Sequence, residues 1–154
     1  MKSAREVALL ILYRVENDSA YPNILLNEMI DMDMSKQDRA LVTNLVYGVI
    51  NRQITLDYII SQKSKVKLKK LSKYILLILR MGIYQLLFMN KIPQSAAVNE
   101  SVKLAKRYGH SASSGYVNGV LKNVAKNGFE YPKDKTQELS IKYSFPTTTY
   151  ILSL

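Results

Sequence analysis

The chain contains no cysteine. A disulfide scaffold, a cysteine zinc site and a cysteine nucleophile are therefore excluded for its 154 residues. A single histidine gives no basis for a histidine-rich metal site or a Ser–His triad. Strong backbone breakers are scarce: six Gly and four Pro. That scarcity argues against a many-turned β-sandwich and for long helices. Long apolar runs are missing too. Among the longest, Tyr74 to Leu79 ends at Arg80 and is far too short to span a bilayer. Arg5, Glu6 and Arg14 interrupt the first apolar stretch, so no signal peptide is visible. A soluble, cytoplasmic protein is the expectation. No glycine-rich phosphate loop follows a strand pattern, which leaves a nucleotide fold without an anchor.

What is present is cationic charge, unevenly placed. The formal net charge is +10. Residues 1–60 carry 6 Lys/Arg and 8 Asp/Glu, whereas residues 61–126 carry 13 Lys/Arg against Glu100 alone. Residues 127–154 carry three of each. Such a concentration marks a surface for a polyanion, most often nucleic acid; the alternative is a lysine-rich solvated face. Lys63, Lys65, Lys67, Lys69, Lys70 and Lys73 form one cluster. Lys103, Lys106 and Arg107 form a second, with Lys103 and Arg107 four apart on one helical face, and Lys122 and Lys126 repeat that spacing. Phosphate neutralisation needs several cations on one side and carries no base specificity. Some of the eleven Tyr are candidates for stacking on bases. Asp31 and Asp33 read as a solvated turn, and His110 as an exposed loop residue.

The hydrophobic periodicity is helical throughout. Ser3-Ala4-Arg5-Glu6 has the form of a capping box, followed by Val7, Ala8, Ile11, Leu12 and Val15 at helical spacing. Pro22 opens a second, short helix. Ser35 caps a third that runs to about Asn51, and Ile54 to Ile60 extends or restarts it with Thr55 as a cap. Ser61 to Lys70 reads as a loop. The helix from Leu71 to about Met89 is apolar nearly all round and so should be central, with Gly82 marking close approach of a neighbouring backbone. Ser95 caps a helix through Tyr108 that stops at Gly109, and Ser113 or Ser114 begins another that stops at Gly128. A short helix is expected around Thr136 to Tyr143. The fold class is all-α, an array of six to eight helices around a central apolar helix.

Several stretches resemble the NusB family. Ala4-Arg5-Glu6 with Ala8, Leu9, Leu12 and Tyr13 is similar to its first helix. Asp38-Arg39-Ala40-Leu41 with Leu45-Val46-Tyr47-Gly48-Val49 is similar to its third. Leu79-Arg80-Met81-Gly82-Ile83-Tyr84-Gln85-Leu86-Leu87, Ile92-Pro93, Ala97 through Lys106 and Tyr116-Val117-Asn118-Gly119-Val120-Leu121 follow in family order. The resemblance covers about residues 3–126.

It implies one of two roles. One is a stand-alone transcription antitermination factor that binds RNA together with a ribosomal protein. The other is the N-terminal RNA-binding domain of RsmB-type (Sun/Fmu) ribosomal RNA cytosine-5 methyltransferases, which use S-adenosylmethionine. Met81 through Leu87 and Asp38 through Leu41 look like the second branch. So does Glu138 through Pro146, which resembles the start of its connection to the catalytic domain. Residues 1–130 would then be the helical RNA-binding domain, and 131–154 the start of a linker. Thr147-Thr148-Thr149 stand where that branch usually has a Trp. The family's catalytic Cys and its cofactor fold have no counterpart here, so the chain is expected to bind no cofactor itself. The resemblance places Arg5 near RNA. With charge, it makes Arg5, Lys69, Lys70, Lys73, Lys103, Lys106 and Arg107 the expected RNA contacts. Asn99 and Glu100 either touch RNA or a partner, or tie their helix to Arg80 in a buried network. Gly48, Gly82 and Gly119 are expected to be packing glycines, and Asn118 either pairs at a helix crossing or is exposed. A third role, a helical protein-interaction module, remains open.

Overall fold

A computed structural model describes residues 2–146. The readings made for residues 147–154 lie outside them. The described residues form eight α-helices and one 3-10 turn, with no strand: α1 Ala4–Asp18, α2 Pro22–Met29, α3 Lys36–Asn51, α4 Gln53–Lys63, the turn Leu68–Lys70, α5 Lys73–Phe88, α6 Gln94–Tyr108, α7 Ser113–Asn127 and α8 Lys135–Tyr143.

Local chemistry sets most boundaries. Ser3, Ser35, Ser72 and Asp134 each cap a helix by accepting from a backbone N–H three residues on. Pro22 occupies the first turn of α2, where its missing N–H costs nothing. Gly128 ends α7 with φ +62°, a left-handed conformation that glycine adopts freely. Three expected starts differ. Thr55 is not a cap but an interior residue of α4, because Arg52 bridges α3 and α4 directly. Ser72, rather than Leu71, sets the start of α5. Pro93 precedes α6, so Ser95 lies inside it. The basic stretch is only partly a loop, since α4 runs on to Lys63 and Leu68–Lys70 form a turn.

The central position of α5 follows from its sequence. Leu77 through Gln85 are all buried, so every side of the helix meets protein. It packs against α1, α3, α4, α6 and α7. Gly82 lies where α5 meets α6 and α7: a Cβ there would sit 2.7 Å from Leu121 Cδ1 and 3.0 Å from Ser101 Oγ. The close neighbours are thus side chains rather than backbone. Gly48 admits the Tyr84 ring, which would lie 2.1 Å from an added Cβ. Gly119 is not a packing glycine; it faces outward with nothing within 4 Å.

Among the buried polar groups, Arg80 is the largest. Its Nε donates to Asp57 Oδ1 at 2.7 Å and Nη2 to Asp57 Oδ2 at 2.9 Å, a bidentate pair joining α5 to α4. Nη1 reaches Glu16 of α1 at 3.5 Å. The expected network of Arg80 with Asn99 and Glu100 does not form. Asn99 is exposed, and Glu100 turns along its own helix to Lys103 at 3.4 Å.

The segment beyond α7 is docked rather than loose. Tyr58 and Gln62 of α4 donate to the Glu130 carbonyl, each at 2.9 Å, and Glu130 N–H donates back to Gln62 at 3.0 Å. The buried Thr55 hydroxyl donates to the Ile141 carbonyl of α8.

These contacts separate two glycines of similar helical context. Gly82→Leu should lower unfolding free energy by about 1–3 kcal/mol through overpacking against Leu121. Gly119→Ala should raise it by roughly 0.5–1 kcal/mol, the helix-propensity difference at an open position. Urea unfolding followed by circular dichroism measures both; equal effects of one sign would contradict this packing.

Candidate nucleic-acid interface

The helix termini bring the two basic clusters toward one another. At the N-terminus of α1, Ser3 accepts from the Glu6 N–H at 3.2 Å, half of the expected capping box. The other half is absent. Glu6 is buried, and its carboxylate turns outward to α6, accepting from Tyr108 Oη at 2.6 Å and pairing with Arg107 Nη1 at 3.1 Å. A cleft of about 360 Å³ lies between the two helices, lined by Ser3, Glu6, Glu100, Lys103, Leu104 and Arg107. Arg5 borders it. Its Nε donates to Gln85 Oε1 at 2.7 Å, which anchors it to the buried end of α5. Burial pushes the Arg5 guanidinium below its ordinary value, against the opposing pull of Glu100 and Asp38.

The first cluster approaches the same, C-terminal end of α6. Lys70 and Ser72 line a cleft of about 280 Å³ together with His110, Ser113 and Tyr116. Just inside α5, Tyr74 packs on Tyr108 with ring centroids 5.0 Å apart and stacks on Tyr13 at 4.1 Å. Lys73 hydrogen-bonds Asn17 of α1. The resulting face runs from the Leu68–Lys70 turn across a tyrosine stack to Arg107 and the start of α1, and Lys106 is exposed in the same last turn of α6 as Arg107.

Among the described residues, Lys69, Lys70 and Lys106 are exposed and make no ion pair, which leaves their charge for a ligand. Lys103 shares its charge with Glu100, and Arg107 with Glu6. Arg80 is enclosed and adds nothing to the surface, so the charge sum over 61–126 overstates what a ligand meets. Lys122 and Lys126 are exposed on α7, and no contact joins them to this face. Asn118 is half-buried without a side-chain hydrogen bond among the described residues. His110 is exposed, as read, and Asp31 accepts from the Asp33 N–H at 2.9 Å in a solvated turn.

Sequence reasoning missed Glu6, Asp57 and the stack of Tyr13, Tyr74 and Tyr108. Asp57 did carry a signal: it is the one carboxylate in the apolar run Ile54 to Ile60, where a charge calls for a buried partner. The stack had none, because its three rings come from α1, α5 and α6.

The sequence profile of the NusB family matches residues 2–126. The chain belongs to the NusB family. The "Probable ribosomal RNA small subunit methyltransferase B" of Bacillus subtilis (strain 168) is 36% identical over 148 residues, 94% of this chain and 33% of that protein. The "Transcription antitermination protein NusB" of Ruminiclostridium cellulolyticum is 37% identical over 127 residues, 81% of this chain and 88% of that protein. The chain thus spans about a third of the methyltransferase relative and most of the NusB relative. Among solved structures, antitermination factor NusB, in a complex with NusE and double-stranded RNA, has a TM-score of 0.71 and 26% identity, covering 80% of this chain and 93% of that one. The NusB-family fold is therefore all-helical here. No described helix is long and apolar enough to cross a membrane.

The Glu6–Tyr108 bond has a measurable consequence. Burial, the hydrogen bond to Glu6 and its negative charge push the Tyr108 hydroxyl up to about 12, from 10.0. The folded chain therefore holds this proton where the unfolded chain has released it. Its stabilisation is complete below pH 10 and should be lost as pH rises from about 10 to 12. Tyr108→Phe should flatten that part of the stability–pH curve, as read by urea unfolding at successive pH values; an unchanged slope would contradict the assignment.

Proposed function

We propose that this chain is an RNA-binding module of the kind that fronts a ribosomal RNA cytosine-5 methyltransferase. It grips rRNA through phosphates and presents it to a catalytic domain attached in cis. The observation that carries the choice of branch is α8. The family profile ends at residue 126, before this helix. The likeness to the B. subtilis methyltransferase, covering 94% of the chain, necessarily includes it. In this fold α8 is tied to α4 through Thr55 and Ile141, so the extra sequence belongs to the folded body. For RNA, the support is the face holding Lys69, Lys70 and Lys106, with Lys73, Lys103, Arg107 and Arg5 around it.

That the chain itself binds no S-adenosylmethionine is part of this reading, and what supports it is that the described residues form no strand and no glycine-rich turn entering a helix. No step of methyl transfer is assigned to them. In the parent protein that cofactor would supply the methyl group from the catalytic domain.

A second reading is a free antitermination factor that binds RNA with a ribosomal protein. It is favoured by the 88% coverage of the R. cellulolyticum protein and by the NusB–NusE–RNA complex. Size-exclusion chromatography with NusE and RNA separates the two. A stable ternary complex favours the second, and RNA binding that NusE leaves unchanged favours the first.

RNA binding itself is tested by salt. If rRNA touches about four to six cations, log Kd against log salt should have a slope of magnitude near 3–5, at about 0.7–0.9 per phosphate. Lys69→Glu, Lys70→Glu and Lys106→Glu together should weaken binding and lower that magnitude by roughly 2. Lys2→Glu with Lys36→Glu should do much less. Affinity indifferent to salt and to both sets would instead favour a protein-interaction module. Catalysis gives a separate outcome. Purified chain with S-adenosylmethionine and rRNA should incorporate no labelled methyl group, because a thiolate nucleophile needs a Cys and the chain has none. Label above a protein-free control would overturn that expectation.

A further inference from the structure

A further concavity is lined by residues other than those of the cationic face. It is a groove of about 780 Å³ between the outer face of α3 and the end of α8. On α3, Thr43, Asn44, Tyr47, Gly48 and Asn51 lie three or four apart and so share one side of the helix. Lys142, Tyr143 and Phe145 form the opposite wall.

The floor is built. Gly48 lets Tyr84 of α5 pass close beneath α3, and Tyr84 Oη donates to Asn44 Oδ1 at 2.6 Å. That bond fixes the Asn44 amide and leaves its N–H donors for a ligand. Arg52, which also lines the groove, has its guanidinium carbon 4.2 Å from the Phe88 ring centroid. Tyr143 and Phe145 are 54% and 53% exposed, and Tyr47 is 37% exposed. Among the described residues lining the groove, none is acidic. The N-terminal half of the chain is otherwise rich in carboxylates, so this is a local selection of residue types.

We propose that this groove binds unpaired nucleotides of RNA, as a second contact surface beside the cationic face. Three half-exposed rings supply stacking surfaces, which accept any base. Asn44 and Asn51 supply amide groups for base edges. Arg52 and Lys142 supply the two charges that a short stretch of backbone needs. Double-stranded RNA has its bases already stacked and gains nothing from such a groove, so the preference is for single strands. The inference rests on the reading of the chain as an RNA-binding module, and it adds which form of RNA this surface takes.

The test compares two fluorescent probes, a uridine decamer and an RNA duplex of equal charge, with the full chain. Tyr143→Ala combined with Phe145→Ala should weaken binding of the decamer about tenfold and leave the duplex and the salt slope unchanged. The charge-reversed Lys69, Lys70 and Lys106 variant should weaken both. A decamer containing 4-thiouridine should crosslink to Tyr47, Tyr143 or Phe145. Decamer affinity unchanged in the double variant, with crosslinks confined to α6, would overturn the proposal and leave the groove to a protein partner. Equal losses for both probes, with the melting temperature unchanged, would also overturn it. A lowered melting temperature moves the judgement to Asn51→Ala and the crosslinks, where the same outcomes apply. If the unaltered chain binds neither probe, the RNA-binding reading itself fails.

Discussion

The ion pair between Arg80 and Asp57 is the constraint on which the helical array depends. Arg80 is in the most enclosed helix of the chain, where an unpaired guanidinium would be prohibitive. Its planar fork needs a carboxylate at a fixed angle, and Asp57 meets it with both oxygens. Removing one partner of such a pair typically costs about 3–5 kcal/mol, because the remaining charge is stranded. The pair fixes α4 against α5, and Glu16 extends the arrangement to α1. With α4 set, Thr55, Tyr58 and Gln62 are in place to receive residues 130–145. An apolar pair of equal volume would hold the same helices without fixing their rotation about one another.

The cationic face is organised by another buried charge, of opposite sign. Glu6 is enclosed at the start of α1, where the helix dipole favours it, and its partners are at the end of α6, where the dipole favours cations. One carboxylate thus joins two helix ends of complementary polarity. It also divides the basic residues into those already engaged and those still available. Arg107 and Tyr108 both meet Glu6 Oε2, and Arg107 also reaches Oε1 at 3.4 Å, so a turn of Arg107 to a phosphate leaves Glu6 with its Tyr108 bond alone. Lys69, Lys70 and Lys106 have no such partner to leave.

Several helix ends are legible because their chemistry is local, although Thr55 and Ser95, which look like caps, lie inside their helices. Ser3, Ser35, Pro22, Gly109 and Gly128 mark boundaries because a cap or a left-handed residue acts within a few positions. The central place of α5 was legible because an all-round apolar helix has only one kind of environment. Legibility failed where the partner is distant in sequence. Nothing near Arg80 in the sequence points to Asp57, and Asn99 and Glu100, one expected set of partners, leave it to Asp57 and Glu16. The box at Ser3 failed in its second half because Tyr108 and Arg107, far along the chain, compete better for Glu6 than the backbone does. Gly119 looked like Gly82 from its neighbours alone. Only the position of α6 and α7 shows that one glycine faces Leu121 and the other faces outward.

The stack of Tyr13, Tyr74 and Tyr108 gives the molecule its own optical reporter. The chain has no tryptophan, so its near-ultraviolet signal and its emission come chiefly from tyrosine. Two of the eleven tyrosines lie nearly parallel at 4.1 Å, and a third leans on them at 5.0 Å. Rings at that separation couple their transitions, and the coupling depends on how α1, α5 and α6 are set against each other. Tyr108 also lends its hydroxyl to the carboxylate that holds Arg107. A ligand drawing Arg107 away would therefore alter the spectrum of the unlabelled chain, and the cationic face can be watched without attaching anything to it.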